Sequence, residues 1–159
     1  MKKITIVGSG NFGANAALYI AENNLGHVTL IDNKEGLAKG KALDLMEAAP
    51  VRGFGVNVSG SDSLSALEGA AVVVVAAGTS RKAGVDGREL YQENLAVMKP
   101  ILAEVAQRAP EAIVILQRDP VAALSLQAIQ ECGLKPDKVI GLTGLLETAR
   151  FRYFMAREL

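Results

Sequence analysis

The chain is poor in residue types that mark several classes of protein. Its 159 residues include one cysteine, one histidine and no tryptophan. A single cysteine cannot form an internal disulfide, and no cluster of cysteine and histidine offers a structural zinc site. The residues around Cys132 predict a buried helical cysteine rather than a reactive thiol. We therefore expect the protein in a reducing compartment, the cytoplasm, without a bound metal.

Charge of one sign and long apolar runs are also missing. The sequence has 17 Lys and Arg against 17 Asp and Glu, so its formal net charge is zero. The basic residues are scattered, which argues against a nucleic-acid partner or an anionic membrane surface. The longest wholly apolar run covers residues 70–77, and the run before Gly8 is too short for a secretion signal. We expect residues 70–77 to contain a central strand.

What the sequence does contain is a regular alternation of short β-branched runs with longer helical stretches. With 50% hydrophobic residues and no linker-like segment, it predicts one domain over residues 1–159. The predicted strands are 3–7, 28–31, 56–59, 71–76, 112–116 and 139–142, and the predicted helices are 12–22, 35–48, 63–67, 88–109, 120–131 and 143–159. The fold class is α/β, a doubly wound parallel six-stranded sheet with strand order 3-2-1-4-5-6.

Two prolines carry local predictions. Asp119 followed by Pro120 is typical of a helix N-cap with proline at the first helical position, and Gly133 after Cys132 is expected to end that helix. Pro100 falls inside the helix predicted over residues 88–109. Because proline lacks an N–H and clashes with the preceding turn, we expect a kink or a break there.

A glycine motif directly follows the first predicted strand and opens the first helix. Gly8 permits a tight turn, Gly10 lets a pyrophosphate approach bare backbone, and Gly13 allows close packing of helix against strand. Asp32 ends the second strand, where a carboxylate binds the ribose hydroxyls and repels a 2′-phosphate. This context predicts NAD rather than NADP. The alternatives are a glycine-rich turn in an unrelated protein, and an Asp32 that merely caps the turn at 34–36.

Taken together, these residues resemble the N-terminal half of the malate/lactate dehydrogenase family. The resemblance covers the whole chain and is carried by residues 8–13, 42–45, 76–84, Asn94, 140–141 and 149–152. It implies a Rossmann-type fold, NAD as cofactor, and hydride transfer between NAD and a 2-hydroxy acid such as malate. The cofactor contacts that it implies are Gly8, Ser9, Gly10, Asn11, Phe12, Gly13, Asp32, Ala77, Gly78, Asn94, Gln117 and Asp119, the last two as the ends of the stretch 117–119.

The resemblance also implies a substrate site. Residues 79–88 match the family's mobile loop, Arg81 its arginine for a dicarboxylate, and Arg150 its arginine for the substrate carboxylate. The family's second loop arginine falls at Gly87, beside Arg88, and its aspartate that orients the catalytic histidine is Glu147. Where the family has asparagine before proline, this sequence has Asp119. Without the resemblance, Arg81 and Arg88 would be interpreted as solvated loop charges.

The sequence lacks a group that could take the alcohol proton. Such a group is usually a histidine, and the family's histidine belongs to a substrate domain that these residues do not include. His27 begins the second strand, roughly 15 Å from the edge where ligand binds. Two carboxylates, Asp119 and Glu147, would oppose a dicarboxylate unless one is protonated. We expect the isolated chain to be inactive. It could be the cofactor half of a two-chain enzyme, or a non-catalytic NAD-sensing or scaffolding protein.

The last predicted helix is unusually apolar. Between residues 144 and 159 it carries Leu145, Leu146, Phe151, Tyr153, Phe154 and Met155. By resemblance a substrate domain would cover part of this helix, and an exposed patch of that kind is unusual on a monomer. We expect a homodimer or a partner chain, through this helix or the one after Glu35. The alternative is that one face of the final helix packs on its own sheet.

Overall fold

The computed structural model describes residues 1–81 and 83–159. Its centre is a six-stranded parallel sheet formed by β1 (Lys3–Val7), β2 (His27–Ile31), β3 (Val58–Ser61), β4 (Val72–Val75), β5 (Ile113–Leu116) and β6 (Val139–Gly141). The strand order is β3-β2-β1-β4-β5-β6, and every pair of neighbouring strands is parallel. The predicted fold class and strand order are confirmed.

The connections between strands are helices. They are α1 (Asn11–Glu22), α2 (Leu37–Arg52), α3 (Gly87–Arg108), α4 (Val121–Gln130) and α5 (Leu145–Glu158), with 3-10 helices at Leu64–Leu67 and Pro136–Lys138. Within residues 1–81 and 83–159, none of these helices combines the length and apolar composition needed to cross a bilayer.

The central strands are buried on both faces. Successive residues of each strand point to opposite sides of the sheet, so they enter two separate core clusters. Val73 and Val75 of β4 pack in one cluster with Met98 and Leu102 of α3. Val74 belongs to the other cluster, with the alanines of α1 and α2 on the opposite face. Two layers of helices therefore cover the central strands, as the continuous apolar run at residues 70–77 predicts.

Several predicted boundaries were wrong by a few residues, and the third strand shows why. Strand β3 begins at Val58 rather than at residue 56. Val56 is buried, with 1% of its surface exposed, but it packs in the core before the strand begins. The apolar signal there reports burial rather than strand pairing. Helix α2 also extends past the predicted end at residue 48, through Pro50, to Arg52.

The sequence predicts a kink or a break at Pro100, and the break does not occur, because α3 runs without interruption from Gly87 to Arg108. The kink stays a prediction. Pro100 lies on the exposed side of the helix. The carbonyl of Ala96, four residues earlier, is the one that loses its helical donor, and Ala96 is exposed as well. Water can solvate that carbonyl, while buried Met98 and Ile101 hold the helix to the sheet on either side of the proline.

The predicted ends of α4 also need correction. Pro120, not Asp119, is the N-cap residue, and no side chain caps the helix there. The helix ends at Gln130, before the predicted position, and Gly133 adopts φ +71° in the turn that follows. Cys132 lies half-buried in this turn rather than buried in the helix. Burial raises the pKa of its thiol, which agrees with an unreactive cysteine.

Helix α5 differs from the other four helices, because all 14 of its residues are exposed. The alternative in which one face of this helix packs on its own sheet is therefore wrong. Its apolar side chains, including Phe151 at 66% and Phe154 at 56% exposure, contribute nothing to either core cluster.

Candidate functional site

A groove of about 610 Å³ lies at the carboxyl ends of the central strands. In parallel sheets of this order, the crevice beside β1 and β4 is the place where ligands bind, because the connections leave the sheet there in opposite directions. The groove is lined by Val7, Gly8, Gly10, Ile31, Asp32, Asn33, Asp62, Leu64, Ala76, Ala77, Gly78, Val97, Pro100, Ile101 and Arg118.

The three glycines of the motif after β1, two in the loop and one in the first turn of α1, have three different environments. A Cβ on Gly13 would lie 1.9 Å from the carbonyl oxygen of Gly8, so α1 packs against the strand end at a distance that only glycine permits. Gly8 has φ +105°, and a Cβ there would lie 2.5 Å from the backbone nitrogen of Ala77. Around Gly10 no atom lies within 4 Å of a Cβ position. The space beside Gly10 is open to a ligand.

Helix α1 presents backbone donors beside this open space. Its first hydrogen bond runs from the N–H of Ala14 to the carbonyl of Gly10, over 2.9 Å. The N–H groups of Asn11, Phe12 and Gly13 therefore have no helical acceptor. Together with the positive end of the helix dipole, such N–H groups are well suited to an anion such as a pyrophosphate.

Asp32 is fixed by two backbone donors. The N–H of Ser9 donates to its Oδ2 over 2.7 Å, and the N–H of Lys34 donates to its Oδ1 over 3.0 Å. The carboxylate therefore caps the turn after β2, as the alternative interpretation proposed, and also lines the groove. Each oxygen retains a lone pair, so capping the turn leaves the carboxylate able to accept bonds from ribose hydroxyls.

Asn94 joins two loops of the groove edge. It is fully buried in α3, where its Oδ1 accepts a hydrogen bond from the N–H of Thr79 over 2.7 Å. Its Nδ2 donates to the carbonyls of Thr79, over 3.0 Å, and Asp119, over 2.7 Å. These bonds use both amide hydrogens. The geometry therefore favours a positioning role for Asn94 over direct contact with a cofactor.

Sequence reasoning placed the stretch 117–119 among the expected cofactor contacts but did not single out Arg118 within it. Its Nε donates to the carbonyl of Ala76 over 2.7 Å, and its Nη1 donates to Oγ of Ser80 over 2.8 Å. Burial lowers the pKa of this guanidinium, and the charge of neighbouring Asp119 partly offsets that effect. Arg118 follows the end of β5 at the carboxyl edge of the sheet, and this position in the sequence is the signal that could have identified it.

The other wall of the groove was also missed. It is apolar and is formed by Leu64, Val97, Pro100 and Ile101. The last three occupy positions i, i+3 and i+4 of α3 and therefore lie on one face of the helix, a spacing that the sequence shows but to which no role was assigned. Asp62 lies at the same end, and its hydrogen bond with Lys39, 2.8 Å long, lowers the pKa of its carboxyl.

Other predicted contacts lie outside the lining of the groove. Ser9 is buried beneath Asp32, Phe12 packs against the core, and Asn11 is exposed at the start of α1. Gln117 is half-buried with its Oε1 unpaired among the described residues, and Asp119 is exposed. The structure brings together Gly8, Gly10, Asp32, Ala77 and Gly78.

The predicted substrate residues are not assembled into this groove. Arg81 and Arg88 are exposed, as are Glu147 and Arg150 on α5. A Cβ on Gly87 would lie 3.7 Å from Nη2 of Arg81. Gly87, where the family's second loop arginine is expected, therefore lies beside the guanidinium of Arg81. Lys82, in the same loop, lies outside the described residues. His27 accepts a hydrogen bond from the N–H of Asn57 at the opposite end of the sheet.

The sheet order, the glycine turn and a carboxylate after β2 define a Rossmann-type dinucleotide-binding domain. Gly10, the N–H groups of α1 and Asp32 fit such a ligand, because they offer open space, donors and an acceptor along one groove. The family model for the NAD-binding domain of lactate/malate dehydrogenase matches residues 2–141. The chain belongs to the lactate/malate dehydrogenase family, of which it forms the NAD-binding domain.

Individual relatives agree with this assignment. A malate dehydrogenase from Desulforudis audaxviator is 42% identical over 158 residues, which are 99% of this chain and 51% of that protein. One from Oceanobacillus iheyensis is 41% identical over 160 residues, with the same two shares. The chain therefore spans about half the length of the curated relatives that it matches.

Solved structures give the same result. Malate dehydrogenase from Plasmodium falciparum superposes with a TM-score of 0.95 at 30% identity, covering 99% of this chain and 50% of that one. Lactate dehydrogenase from Cryptosporidium parvum, solved with lactic acid and nicotinamide adenine dinucleotide, gives 0.92 at 31% identity, covering 98% and 49%.

Proposed function

We propose that the groove binds NAD in an extended form, with its pyrophosphate at Gly10 and the N-terminus of α1 and its adenosine ribose at Asp32. The observation that carries this proposal is the Asp32 carboxylate, which is fixed by the N–H of Ser9 at the edge of the groove. A preorganised acceptor loses little freedom when it binds a hydroxyl. The apolar wall at Leu64, Val97 and Ile101 offers a surface for the adenine ring.

The same carboxylate supports selection of NAD over NADP. A 2′-phosphate at this place would meet the negative charge of Asp32 and would lose the hydroxyl that Asp32 binds. The next residue, Asn33, also lines the groove and carries no positive charge. The two effects together favour NADH over NADPH by about 1–3 kcal/mol.

The reaction that we propose for the complete enzyme is hydride transfer between NAD and a 2-hydroxy acid such as malate. NAD supplies the hydride acceptor when it is bound. From this chain, Arg81 and Arg150 would bind the carboxylates of a dicarboxylate substrate, and Arg88 would polarise the reacting oxygen. Glu147 would orient a histidine that lies outside these 159 residues. Arginine and carboxylate groups suit these tasks, because guanidinium binds carboxylate through two hydrogen bonds.

The exposed helix favours the cofactor half of a larger enzyme over a sensor or scaffold without catalysis. Arg150 and Glu147 lie on α5, which is exposed throughout, so a second unit must pack there before they can face a substrate. The rival, a non-catalytic NAD-binding protein, is supported by Gly87 and Asp119, where the expected arginine and asparagine are replaced.

We propose further that the apolar surface of α5 is an interface, with a second copy of the chain as the first partner to test. Its largest exposed side chains are Leu145, Leu146, Phe151, Tyr153 and Phe154. Burial of such side chains releases about 25 cal/mol per Å² before the costs of association.

The single cysteine agrees with the cytoplasm as the compartment.

The first experiment is a titration of the purified chain with NADH and with NADPH in the same buffer. We expect tighter binding of NADH, and a smaller difference for Asp32→Ala because the repelling charge is removed. Asp62→Ala is the matched control, since Asp62 lies in the same groove but is paired with Lys39. Equal dissociation constants for NADH and NADPH in the wild type would contradict the selectivity, and no binding of either would contradict the function.

A further inference from the structure

Arg118 is a cation in a groove whose other charged groups are carboxylates. Among the described lining residues it is the one positively charged side chain, whereas Asp32 and Asp62 are both negative. Asp62 is already paired with Lys39. None of the salt bridges between described residues involves Arg118. A partly buried guanidinium with no carboxylate partner gains by binding an anion.

The protein fixes this side chain and leaves part of it available. The carbonyl of Ala76 accepts from Nε and Oγ of Ser80 accepts from Nη1, which uses two of the five N–H groups of a guanidinium. No other hydrogen bond to Arg118 is formed by the described residues. The remaining N–H groups of Nη1 and Nη2 can donate to a ligand without breaking either bond.

The anchor of Arg118 is also the neighbour of the glycine turn. A Cβ on Gly8 would lie 2.8 Å from the carbonyl carbon of Ala76, the residue whose oxygen holds Nε of Arg118. A Cβ on Gly78 would lie 3.3 Å from Cγ of Arg118, so the side chain lies along the strand ends rather than in open solvent. One residue, Ala76, thus connects the guanidinium to the end of β1 where α1 presents its N–H groups.

We propose that Arg118 is a second anion-binding group of the groove, which donates to a phosphate oxygen of the dinucleotide from the β5 side. The proposal rests on the dinucleotide binding proposed above. The backbone N–H groups of α1 would bind the pyrophosphate from one side and Arg118 from the other. Two donor groups on opposite sides neutralise the phosphates better than either alone, and they fix the ligand's position along the groove.

The test compares NADH with adenosine, which shares the adenine and ribose but has no phosphate. For Arg118→Met we expect the dissociation constant of NADH to rise about tenfold at low salt. Adenosine, measured by competition with NADH, is expected to bind the variant as well as it binds the wild type. The penalty for NADH is expected to shrink as salt rises from about 50 mM to about 500 mM, because screening weakens a contact between charges.

Three further variants separate charge from packing. Arg118→Lys keeps the charge, so we expect it to keep the salt dependence of NADH binding. Ser80→Ala removes one anchor and leaves the guanidinium, and we expect a smaller loss of affinity with the salt dependence retained. Arg108→Met, an exposed arginine of α3 that pairs with Glu104, is the control and is expected to bind NADH normally.

Two outcomes would overturn the proposal. Arg118→Met could bind NADH with wild-type affinity and salt dependence, or it could lose adenosine and NADH to the same degree, which would give Arg118 a purely structural role. If Arg118→Met does not fold, loss of the salt dependence in Arg118→Lys would overturn the proposal instead. If the wild type bound no NADH, the proposed function itself would fail, a result distinct from a failure of Arg118 alone.

Discussion

The loop after β1 and helix α5 both carry residues typical of the family, but they depend on the rest of the molecule in opposite ways. The glycine loop is held by contacts within this chain. Helix α1 packs against Gly8, and the N–H of Ser9 donates a hydrogen bond to Asp32. Helix α5 has no buried residue, and its arginines and carboxylates are exposed. These residues therefore form the proposed dinucleotide groove by themselves, whereas the proposed substrate side chains are exposed and are not brought together.

This difference indicates that the two proposed functions, dinucleotide binding and substrate chemistry, place different demands on the chain. Binding of a dinucleotide needs a turn, a helix N-terminus and one acid, all of which come from consecutive elements β1, α1 and β2. Substrate chemistry needs side chains from distant parts of the chain to converge on one carbon atom. We therefore expect changes in the glycine loop to act on folding and cofactor, and changes in α5 to act on assembly.

The sharpest test of this division is catalysis, where we expect the largest effect. A polypeptide of these 159 residues is predicted to show no measurable turnover of malate or lactate. The absence of a general base alone costs about 10²–10⁴-fold in rate. The assay is oxidation of NADH with oxaloacetate by the purified chain. Robust turnover that is abolished by Arg150→Ala would show that the substrate site is complete after all.

Gly13→Ala tests whether the close packing of α1 against Gly8 stabilises the fold. Because its Cβ would lie 1.9 Å from the Gly8 carbonyl oxygen, α1 must shift, and we expect a loss of about 3 kcal/mol in the free energy of unfolding. Gly10→Ala is the matched control, since its Cβ meets open space. It is expected to unfold like the wild type in urea but to bind NADH more weakly. Equal urea midpoints for wild type and Gly13→Ala would contradict this account.

Asn94→Ala tests whether the loops at the carboxyl edge are held by one buried amide. The variant leaves the N–H of Thr79 and the carbonyl of Asp119 without their partner, and we expect a loss of about 2–3 kcal/mol of stability. Thermal unfolding measures the loss. If Asn94 also contacts the cofactor directly, the dissociation constant of NADH will rise by more than the loss of stability explains, which a titration of the folded variant measures.

The smallest effect on stability is expected in α5. Phe154→Glu and Leu146→Glu change exposed side chains, so the free energy of unfolding is expected to stay within about 0.5 kcal/mol of the wild type. If α5 is an interface between copies, light scattering at about 100 μM will report a dimer for the wild type and a monomer for either variant. A monomeric wild type, unchanged by both substitutions, would remove this helix as a self-association surface.

Much of the fold could be predicted because its signals are local. The apolar run at residues 70–77, the spacing of Gly8, Gly10 and Gly13, and the acid after the second strand each lie within one element or turn. The predicted fold class and strand order depended on these signals and are confirmed. Of the two outcomes predicted at Pro100, the break does not occur, because buried residues on either side of the proline hold the helix to the sheet.

The candidate site was predictable only where its parts carry a local signal. The glycine turn and Asp32 each follow the end of a predicted strand, and the prediction placed both in what became the groove. Arg118 was not singled out within the stretch 117–119, and the apolar wall on α3 was missed, because their relevance depends on which elements lie side by side. The role of Asn94 depends on three hydrogen bonds to two residues that lie 15 and 25 positions away, which no local pattern reveals.

The sequence by itself determined the class of fold, the place of the glycine turn and the acid proposed to favour NAD, because periodicity and turn chemistry act between near neighbours in the chain. The tertiary structure alone decided that Asn94 forms hydrogen bonds to two loops, that Arg118 lines the groove, and that α5 is exposed. These three facts depend on contacts between elements far apart in sequence, and burial and hydrogen bonding exist only once the sheet has brought those elements together.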